Sequence, residues 1–183
     1  VGMPPAPTAG SRSVSVPFET ATAINLGEAI AGLYQGIAIV SLPDHGLVSV
    51  SGAVATYTPA QGFSGEDRFT YTATGPGGTS APGTITLTVG TLAPGAGAAS
   101  MVVPLNTATT LDLRSFTRGS GITRIVIVTQ PTRGRVTADG TRVTYTPNTD
   151  VFGSDSFTYA AIGNAGTSAP ATVSVSIVGR PDP

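Results

Sequence analysis

The sequence predicts an all-β fold in which two β-sandwich domains, of about seven strands each, follow one another along the chain. The first observation is an internal repeat, since YTPAQGFSGEDRFTY at 57–71 returns as YTPNTDVFGSDSFTY at 145–159 with eight of fifteen positions identical. The offset of 88 residues is too long for a solenoid unit and indicates a duplicated domain. The second is the alternation of apolar residues with Thr or Ser, which is typical of strands with one buried face. The third is the content of 24 Gly and 15 Pro, which suits short strands joined by many turns.

The composition restricts the class of protein further. A domain of about 88 residues is large enough to bury its own core, which matters because the chain has no Cys for disulfide bonds. Charged residues make up 10% of the chain, far below the roughly 25% usual in soluble domains, and all nine basic residues are Arg. The net charge of −1 and the lack of a basic stripe interleaved with aromatic residues exclude nucleic acid as a partner. No apolar run approaches the ~18 residues of a membrane helix, so we expect no membrane insertion.

The repeat and the glycine-rich stretches define the expected domain boundaries. We expect a linker or the tail of a preceding repeat at 1–12, repeat 1 at 13–90, a linker at 91–99, repeat 2 at 100–179, and the start of a further linker at 180–183. The pair Val1-Gly2 resembles Val89-Gly90 and Val178-Gly179, where each repeat finishes its last strand. We therefore expect the chain to be a piece of a longer array of repeats.

Period-two alternation locates the strands of repeat 1. They are expected around Val14 and Val16, Ile24 and Leu26, residues 37–40, Val48 and Val50, Ala55 and Tyr57, Phe69 and Tyr71, and Ile85 to Val89. The continuous apolar run at 37–40 predicts a central strand. No segment shows helical periodicity, and the least regular one, 112–121, is expected to be a loop or a single helical turn.

The dipeptide Asp139-Gly140 predicts a two-residue hairpin turn in repeat 2. Folding the chain about this turn places Val136 opposite Val143 and Thr137 opposite Arg142. The alternation then turns Val136 and Val143 inward and Arg142 outward, so turn chemistry and hydrophobic pattern agree.

The sixth predicted strand carries the same four residues on one face in both repeats. They are Asp67, Phe69, Tyr71 and Ala73 in repeat 1, and Asp155, Phe157, Tyr159 and Ala161 in repeat 2. This spacing resembles strand F of an immunoglobulin-type sandwich, in which the Tyr forms a tyrosine corner two residues before the second Cys of antibody domains. The resemblance implies that Tyr71 and Tyr159 are buried and close the corner. Asp67 and Asp155 are then expected to cap the turn before this strand by accepting backbone hydrogen bonds.

Asp67 and Asp155 are also candidate metal ligands. A hard cation takes six or more oxygen ligands, and each repeat offers only one other acidic residue nearby, Glu66 or Asp150. The ligand count therefore favours the structural role, and no metal ion or cofactor is expected.

Further motifs extend the resemblance to a family. They are Pro43, Gly46, Tyr57-Thr58-Pro59, Gly65, Asp67, Phe69-Thr70-Tyr71 and Gly77-Gly78 in repeat 1, and Pro131, Gly134, Tyr145-Thr146-Pro147, Gly153, Asp155, Phe157-Thr158-Tyr159 and Gly166 in repeat 2. With these motifs the chain resembles the Ig-like and cadherin-like tandem repeats of large bacterial surface proteins, including adhesins and autotransporters. The resemblance implies a non-catalytic spacer in an exported, cell-surface protein, which projects a distal functional domain and contacts neighbouring repeats of its own chain. Calcium-binding relatives carry clustered acidic residues at their junctions, and the connectors here lack them, so calcium is not expected.

The residues that a catalytic site needs are not in place. His45 is the only histidine, it lies in a Pro–Gly turn, and repeat 2 has Arg133 at the same place. The sequence has no Gly-x-Ser-x-Gly motif and no Gly-rich phosphate loop between a strand and a helix. It therefore predicts no enzyme activity.

Arg133, Arg135 and Arg142 are expected to cluster on the outer face of the repeat 2 hairpin. Repeat 2 has six Arg against four acidic residues, whereas repeat 1 has one Arg against five. Because guanidinium groups bind carboxylates and phosphates well, the cluster is a candidate site for an acidic polysaccharide or for lipopolysaccharide phosphates. A cell-surface glycan or protein is thus a candidate partner. Two alternatives stay open: a solvated sheet face that binds nothing, and an accessory domain of a secreted hydrolase.

Overall fold

Residues 2–179 are described by a computed structural model, in which the chain divides after Thr91 into two units. Each unit has its own sheets and its own hydrophobic core. Between residues 2 and 179 the helical segments are two short 3₁₀ turns, so the predicted all-β class with two tandem sandwiches is confirmed. The linker expected at 180–183 lies outside the described residues, as does Val1.

The strands of unit 1 form a sandwich of two sheets. In chain order they are β1 (Thr8–Ala9), β2 (Arg12–Val16), β3 (Thr22–Asn25), β4 (Ile30–Ala31), β5 (Gly36–Ser41), β6 (Gly46–Ser51), β7 (Val54–Pro59), β8 (Gly65–Gly75), β9 (Gly78–Thr79) and β10 (Gly83–Val89). One sheet has the order β2-β10-β8-β5 and the other β3-β7-β6, which is a seven-stranded Greek-key arrangement. Of the short strands, β9 pairs with β8 and β1 with β4, and a 3₁₀ turn covers Leu26–Ala29.

Unit 2 repeats this architecture. Its strands are β11 (Gly95–Ala96), β12 (Ala99–Pro104), β13 (Thr109–Asp112), β14 (Thr117–Arg118), β15 (Arg124–Thr129), β16 (Gly134–Asp139), β17 (Arg142–Pro147), β18 (Gly153–Gly163), β19 (Gly166–Thr167) and β20 (Ala171–Val178). The sheets are β12-β20-β18-β15 and β13-β17-β16, with β11 paired to β14 and β19 to β18. The irregular segment 112–121 contains the single helical turn that the sequence allowed, Arg114–Phe116.

The first and last long strands of each unit are parallel neighbours. β2 pairs with β10 from Arg12 opposite Ile85 to Val16 opposite Val89. In unit 2, β12 pairs with β20 in the same way. Because the two strands of each pair run in the same direction, the chain enters each sandwich at one end and leaves it at the opposite end.

Aromatic rings from β8 and β18 fill the two cores. Phe69 and Tyr71, and their copies Phe157 and Tyr159, are at most 1% exposed. They share the inner face because successive side chains of a strand point to opposite faces. The inward orientation predicted for these four rings is confirmed.

The strand predicted as central, residues 37–40, lies at the edge of its sheet. β5 pairs only with β8, and Val40 is 57% exposed while Ile37 and Ile39 are half-buried. The apolar run is continuous because Ala38 and Val40, on the exposed face of the strand, are also apolar, and a register shift between Ile39 and Ser41 leaves Val40 as a bulge without a paired residue. Such a bulge also disfavours pairing with a foreign strand at an open edge.

The hairpin of unit 2 has a register different from the predicted one. Its turn residues are Gly140 and Thr141, and Gly140 takes a φ of 57° at the first turn position, as in type II′ turns. The resulting pairs are Val136 with Tyr145, Thr137 with Thr144, Ala138 with Val143, and Asp139 with Arg142. Val136 and Thr137 therefore each pair with a residue two positions further along the chain than predicted. A shift of two residues keeps every side chain on the same face of the sheet, so the predicted inward and outward faces are unchanged.

Candidate functional site

Asp67 is a buried carboxylate on the inner face of β8, with only 4% of the residue exposed. Its Oδ1 accepts hydrogen bonds from the backbone N–H groups of Asp44 and Arg68, both at 2.9 Å. Its Oδ2 accepts from the N–H of His45 at 3.0 Å and from the hydroxyl of Tyr57 at 2.8 Å. One carboxylate therefore connects β8 with the turn between β5 and β6 and with β7 in the facing sheet.

Asp155 makes the same set of contacts in unit 2. Its Oδ1 accepts from the backbone N–H of Thr132 at 3.1 Å and of Ser156 at 2.9 Å. Its Oδ2 accepts from the N–H of Arg133 at 2.9 Å and from the hydroxyl of Tyr145 at 2.6 Å. The network is thus a shared feature of both units.

These contacts determine how the groups ionise. Burial opposes ionisation of Asp67, but the hydrogen bonds from Tyr57 and from the backbone outweigh it and hold the pKa of Asp67 below its ordinary value. The pKa of Asp155 is lowered for the same reasons. Burial, together with the adjacent carboxylate, raises the pKa of Tyr57 and Tyr145 well above that of an exposed phenol. At neutral pH each pair is therefore a carboxylate that accepts a hydrogen bond from a neutral phenol.

A second hydrogen bond in each unit joins β8 or β18 to the segment before the first long strand. The hydroxyl of Tyr71 donates to the carbonyl oxygen of Gly10 at 2.7 Å, and that of Tyr159 donates to the carbonyl oxygen of Gly97 at 2.5 Å. The segments expected as linkers, 1–12 and 91–99, therefore contribute to the units, since they contain these acceptors and the short strands β1 and β11.

The structure separates two contacts that the sequence placed in one tyrosine corner. The predicted role of Asp67 is to cap the turn before β8, whereas Asp67 caps the turn after β5 and also accepts a hydrogen bond from Tyr57. Sequence reasoning missed the role of Tyr57 and Tyr145. The usable signal was the Tyr-Thr-Pro motif, in which Tyr lies ten residues before the Asp in both copies.

Hydrogen-bond donors surround both carboxylates. Among residues 2–179, no group of three or more His or acidic side chains has the proximity that a metal ion requires. The oxygens of Asp67 and Asp155 already face N–H and O–H donors, and a cation would have to displace these donors.

The three arginines expected to cluster have different surroundings. Nη1 of Arg133 donates to the carbonyl oxygen of Phe152 at 2.9 Å. Nε of Arg142 lies 3.8 Å from Oδ2 of Asp112. Arg135 is four strand positions away from Arg142 in the hairpin register, a distance of about 13 Å at ~3.3 Å per residue. The hairpin register therefore separates Arg142 from Arg135, and an anion site formed by the three arginines stays a prediction.

The only histidine packs against an aromatic ring. The ring centroids of His45 and Phe63 are 4.3 Å apart and their planes are inclined by 8°. Since its backbone N–H also binds Asp67, His45 helps to fix the turn between β5 and β6.

The duplicated units match a known family. Residues 4–88 and 92–176 each match the bacterial Ig domain. The chain belongs to the bacterial Ig domain family. Bacterial Ig domains are generally non-catalytic and typically belong to surface or exported proteins. The part of this bacterial Ig chain that the structure describes has no helix with the length and apolar character of a membrane span.

Several solved structures align with most of this bacterial Ig chain at low sequence identity. An endo-fucoidan hydrolase of glycoside hydrolase family 107 aligns with 94% of the chain at 16% identity and a TM-score of 0.44, and the alignment covers 28% of the hydrolase. Extracellular cadherin domains 1–4 of protocadherin gamma B7 align with 94% of the chain at 11% identity and a TM-score of 0.37, covering 51% of that protein. A three-domain immunoglobulin fragment of titin, an E-to-A mutated variant, aligns with 96% of the chain at 13% identity and a TM-score of 0.39, covering 67% of the fragment. Among curated proteins, none matches the sequence significantly.

Proposed function

We propose that this bacterial Ig pair is a non-catalytic structural spacer of an exported surface protein, such as the stalk of an adhesin or autotransporter. The observation that supports it most is the parallel pairing of the first and last long strands in each unit. Since the chain enters each sandwich at one end and leaves at the other, every added unit adds length between an anchor and a distal domain.

The same pairing suits a unit that is pulled by its ends. A pull on the two ends of unit 1 draws β2 and β10 in opposite directions along their length, so the ladder between them is sheared and its hydrogen bonds are loaded together. Val16 and Val89, which are opposite each other at the end of this ladder, are only 2% exposed. Sliding the strands apart would therefore also expose apolar surface, which adds resistance.

The role of β2 is tested by stretching single molecules of the whole chain. The carbonyl of Val16 accepts from the N–H of Gly90 at 2.9 Å, so the backbone groups of Val14, two residues earlier, also face β10, while those of Ser15 face away. Val14→Pro should lower the rupture force of one of two unfolding events, each releasing roughly 25 nm of chain.

Two variants serve as controls for this experiment. Ser15→Pro introduces the same ring where no ladder bond is lost, and Val14→Ala removes the side chain but keeps the N–H. Equal rupture forces for Val14→Pro and Ser15→Pro would contradict the idea that the β2–β10 ladder resists the pull.

The sequence that flanks this chain in its parent protein gives a separate check. Further Ig copies there would support a stalk, whereas an adjoining hydrolase domain would replace this proposal with an accessory role.

A further inference from the structure

Unit 2 has an open cavity of about 290 Å³ beside the short strands β11 and β14. Its lining consists of Gly95, Ala96, Gly97, Ser115, Phe116, Thr117 and Arg118, and we refer to it as the Phe116–Arg118 cavity. The volume is near the lower limit of ordinary ligand pockets, which suits a single small ring. No carboxylate lines the cavity, and Arg118 is the one charged residue of its lining.

The guanidinium of Arg118 is free to bind an anion. It makes no hydrogen bond or ion pair with any residue in the described range 2–179. Arg118 is opposite Gly95 in the β11–β14 register, and a Cβ at Gly95 would lie 3.0 Å from Nε and 3.1 Å from Cγ of Arg118. The absence of a side chain at Gly95 thus lets Arg118 lie close across β11 at the rim of the cavity.

Phe116 supplies an apolar wall next to this charge. Its side chain is partly open to solvent, with 37% of the residue exposed. The neighbouring Ser115 is exposed, and its hydroxyl is a potential donor or acceptor for a polar ligand. An aromatic face, a hydroxyl and an unpaired guanidinium together match a ring that has an apolar face, hydroxyl groups and one anionic substituent.

Unit 1 has the same backbone at this place without these side chains. The N–H of Leu26 donates to Ala53, and that of Leu113 donates to Thr141, in equivalent turns. This segment therefore aligns with an offset of 87 residues, so Phe116 corresponds to Ala29, Arg118 to Ala31 and Gly95 to Thr8. Since unit 1 builds the turn with alanines, Phe116 and Arg118 are not required for folding there.

We propose that the Phe116–Arg118 cavity binds a sugar ring that carries a carboxylate or sulfate group. The anionic group binds the guanidinium of Arg118, and an apolar face of the ring packs against Phe116. The site is independent of the spacer role, and it would allow the chain to attach to an acidic polysaccharide.

The first test is a titration of the whole ¹⁵N-labelled chain, followed by NMR, with D-glucuronate, glucose 6-sulfate and glucose at low ionic strength. We expect the amide signals of Gly95, Gly97 and residues 116–118 to shift with an anionic sugar, with a Kd on the order of 1 mM for so small a ligand. Uncharged glucose should bind at least about tenfold more weakly, because it cannot pair with Arg118. The relative affinity for glucuronate and the sulfate identifies which acidic group the site prefers.

Single substitutions test which residues bind the sugar. Phe116→Ala and Arg118→Ala introduce the residues that unit 1 has, so both should fold, and each should weaken binding at least about tenfold. Arg135→Ala, an exposed arginine elsewhere in unit 2, should leave the affinity unchanged. Four results would each overturn the proposal. They are equal affinity for glucose and the anionic sugars, shifts centred on Arg135, normal binding by Arg118→Ala, and no shifts at about 50 mM ligand.

Discussion

The hydroxyl of Tyr57 on β7 donates a hydrogen bond of 2.8 Å to Oδ2 of Asp67 on β8, which joins the two sheets of unit 1. Tyr145 and Asp155 form the same bond in unit 2 at 2.6 Å. A hydrogen bond to an ionised acceptor is roughly twice as strong as a neutral one, and each carboxylate here also accepts three backbone N–H bonds. In each unit one carboxylate thus holds a turn and both sheets together.

Asp155→Asn should destabilise unit 2 by about 2–4 kcal/mol. The amide has one acceptor oxygen instead of two and carries no charge, so it cannot satisfy all of the donors that face Asp155. In urea denaturation followed by circular dichroism, half of the signal change should move to lower urea concentration while the transition of unit 1 stays in place. Asp139→Asn, on an exposed residue of the same unit, is the matched control, and an equal shift for both variants would rule out a special role for the Asp155 network.

Acid should weaken both units through Asp67 and Asp155. Their pKa is lower in the folded protein than in the unfolded chain, where it is about 3.9, so folding is favoured whenever the carboxylates are ionised. This stabilisation is complete above about pH 5 and decreases as the pH falls through 3.9 towards the folded pKa. Denaturation curves between pH 7 and pH 2 should show a flat region and then a decline. The decline of unit 2 should be smaller in Asp155→Asn, and an unchanged decline would mean that other groups cause it.

Two substitutions of Tyr159 separate the ring from its hydroxyl. Tyr159→Ala removes a fully buried ring and should cost roughly 3–5 kcal/mol. Tyr159→Phe keeps the ring and removes only the donor to Gly97, so it should cost about 1 kcal/mol. If Tyr159→Ala melted at the same temperature as the wild type, the ring of Tyr159 would not contribute to the stability of the core, which would contradict its burial.

Gly46 lies against the ring of Tyr57, and Gly46→Ala should destabilise unit 1 by about 1–3 kcal/mol. A Cβ at this position would lie 2.5 Å from Cε2 of Tyr57 and 2.6 Å from the carbonyl oxygen of Thr58. Gly36→Ala is the control in the same unit, because a Cβ there meets nothing within 4 Å and the φ of Gly36 is not positive. Thermal melting should leave Gly36→Ala within about 0.5 kcal/mol of the parent or slightly above it. Similar losses for both variants would contradict the close approach at Gly46.

Local pattern was sufficient to predict most of the architecture. The burial of Phe69 and Tyr71 follows from a period of two, and the domain duplication follows from the repeated motif. Information that depends on distant pairing was not available from pattern alone. A continuous apolar run such as 37–40 is compatible with a central strand and also with an edge strand that has a bulge. Only the pairing of β5, which has β8 as its one neighbour in the sheet, decides between the two.

The candidate site was less predictable than the fold. Two tyrosines occur near each Asp, and their order in the sequence does not indicate whether Tyr57 or Tyr71 reaches Asp67. The Phe116–Arg118 cavity is formed by residues about 20 positions apart that meet only when β11 pairs with β14. The arginines that were predicted to act together lie on a hairpin whose register separates Arg135 from Arg142.

The bond from Tyr159 to Gly97 has a practical consequence for cutting the chain into single domains. A fragment that starts at Ser100, where composition places the beginning of repeat 2, would lack both β11 and the oxygen that accepts the buried phenol. Expression boundaries for an isolated second domain therefore belong near Leu92. An isolated first domain likewise has to begin ahead of Thr8, so that the acceptor at Gly10 and the strand before it are retained.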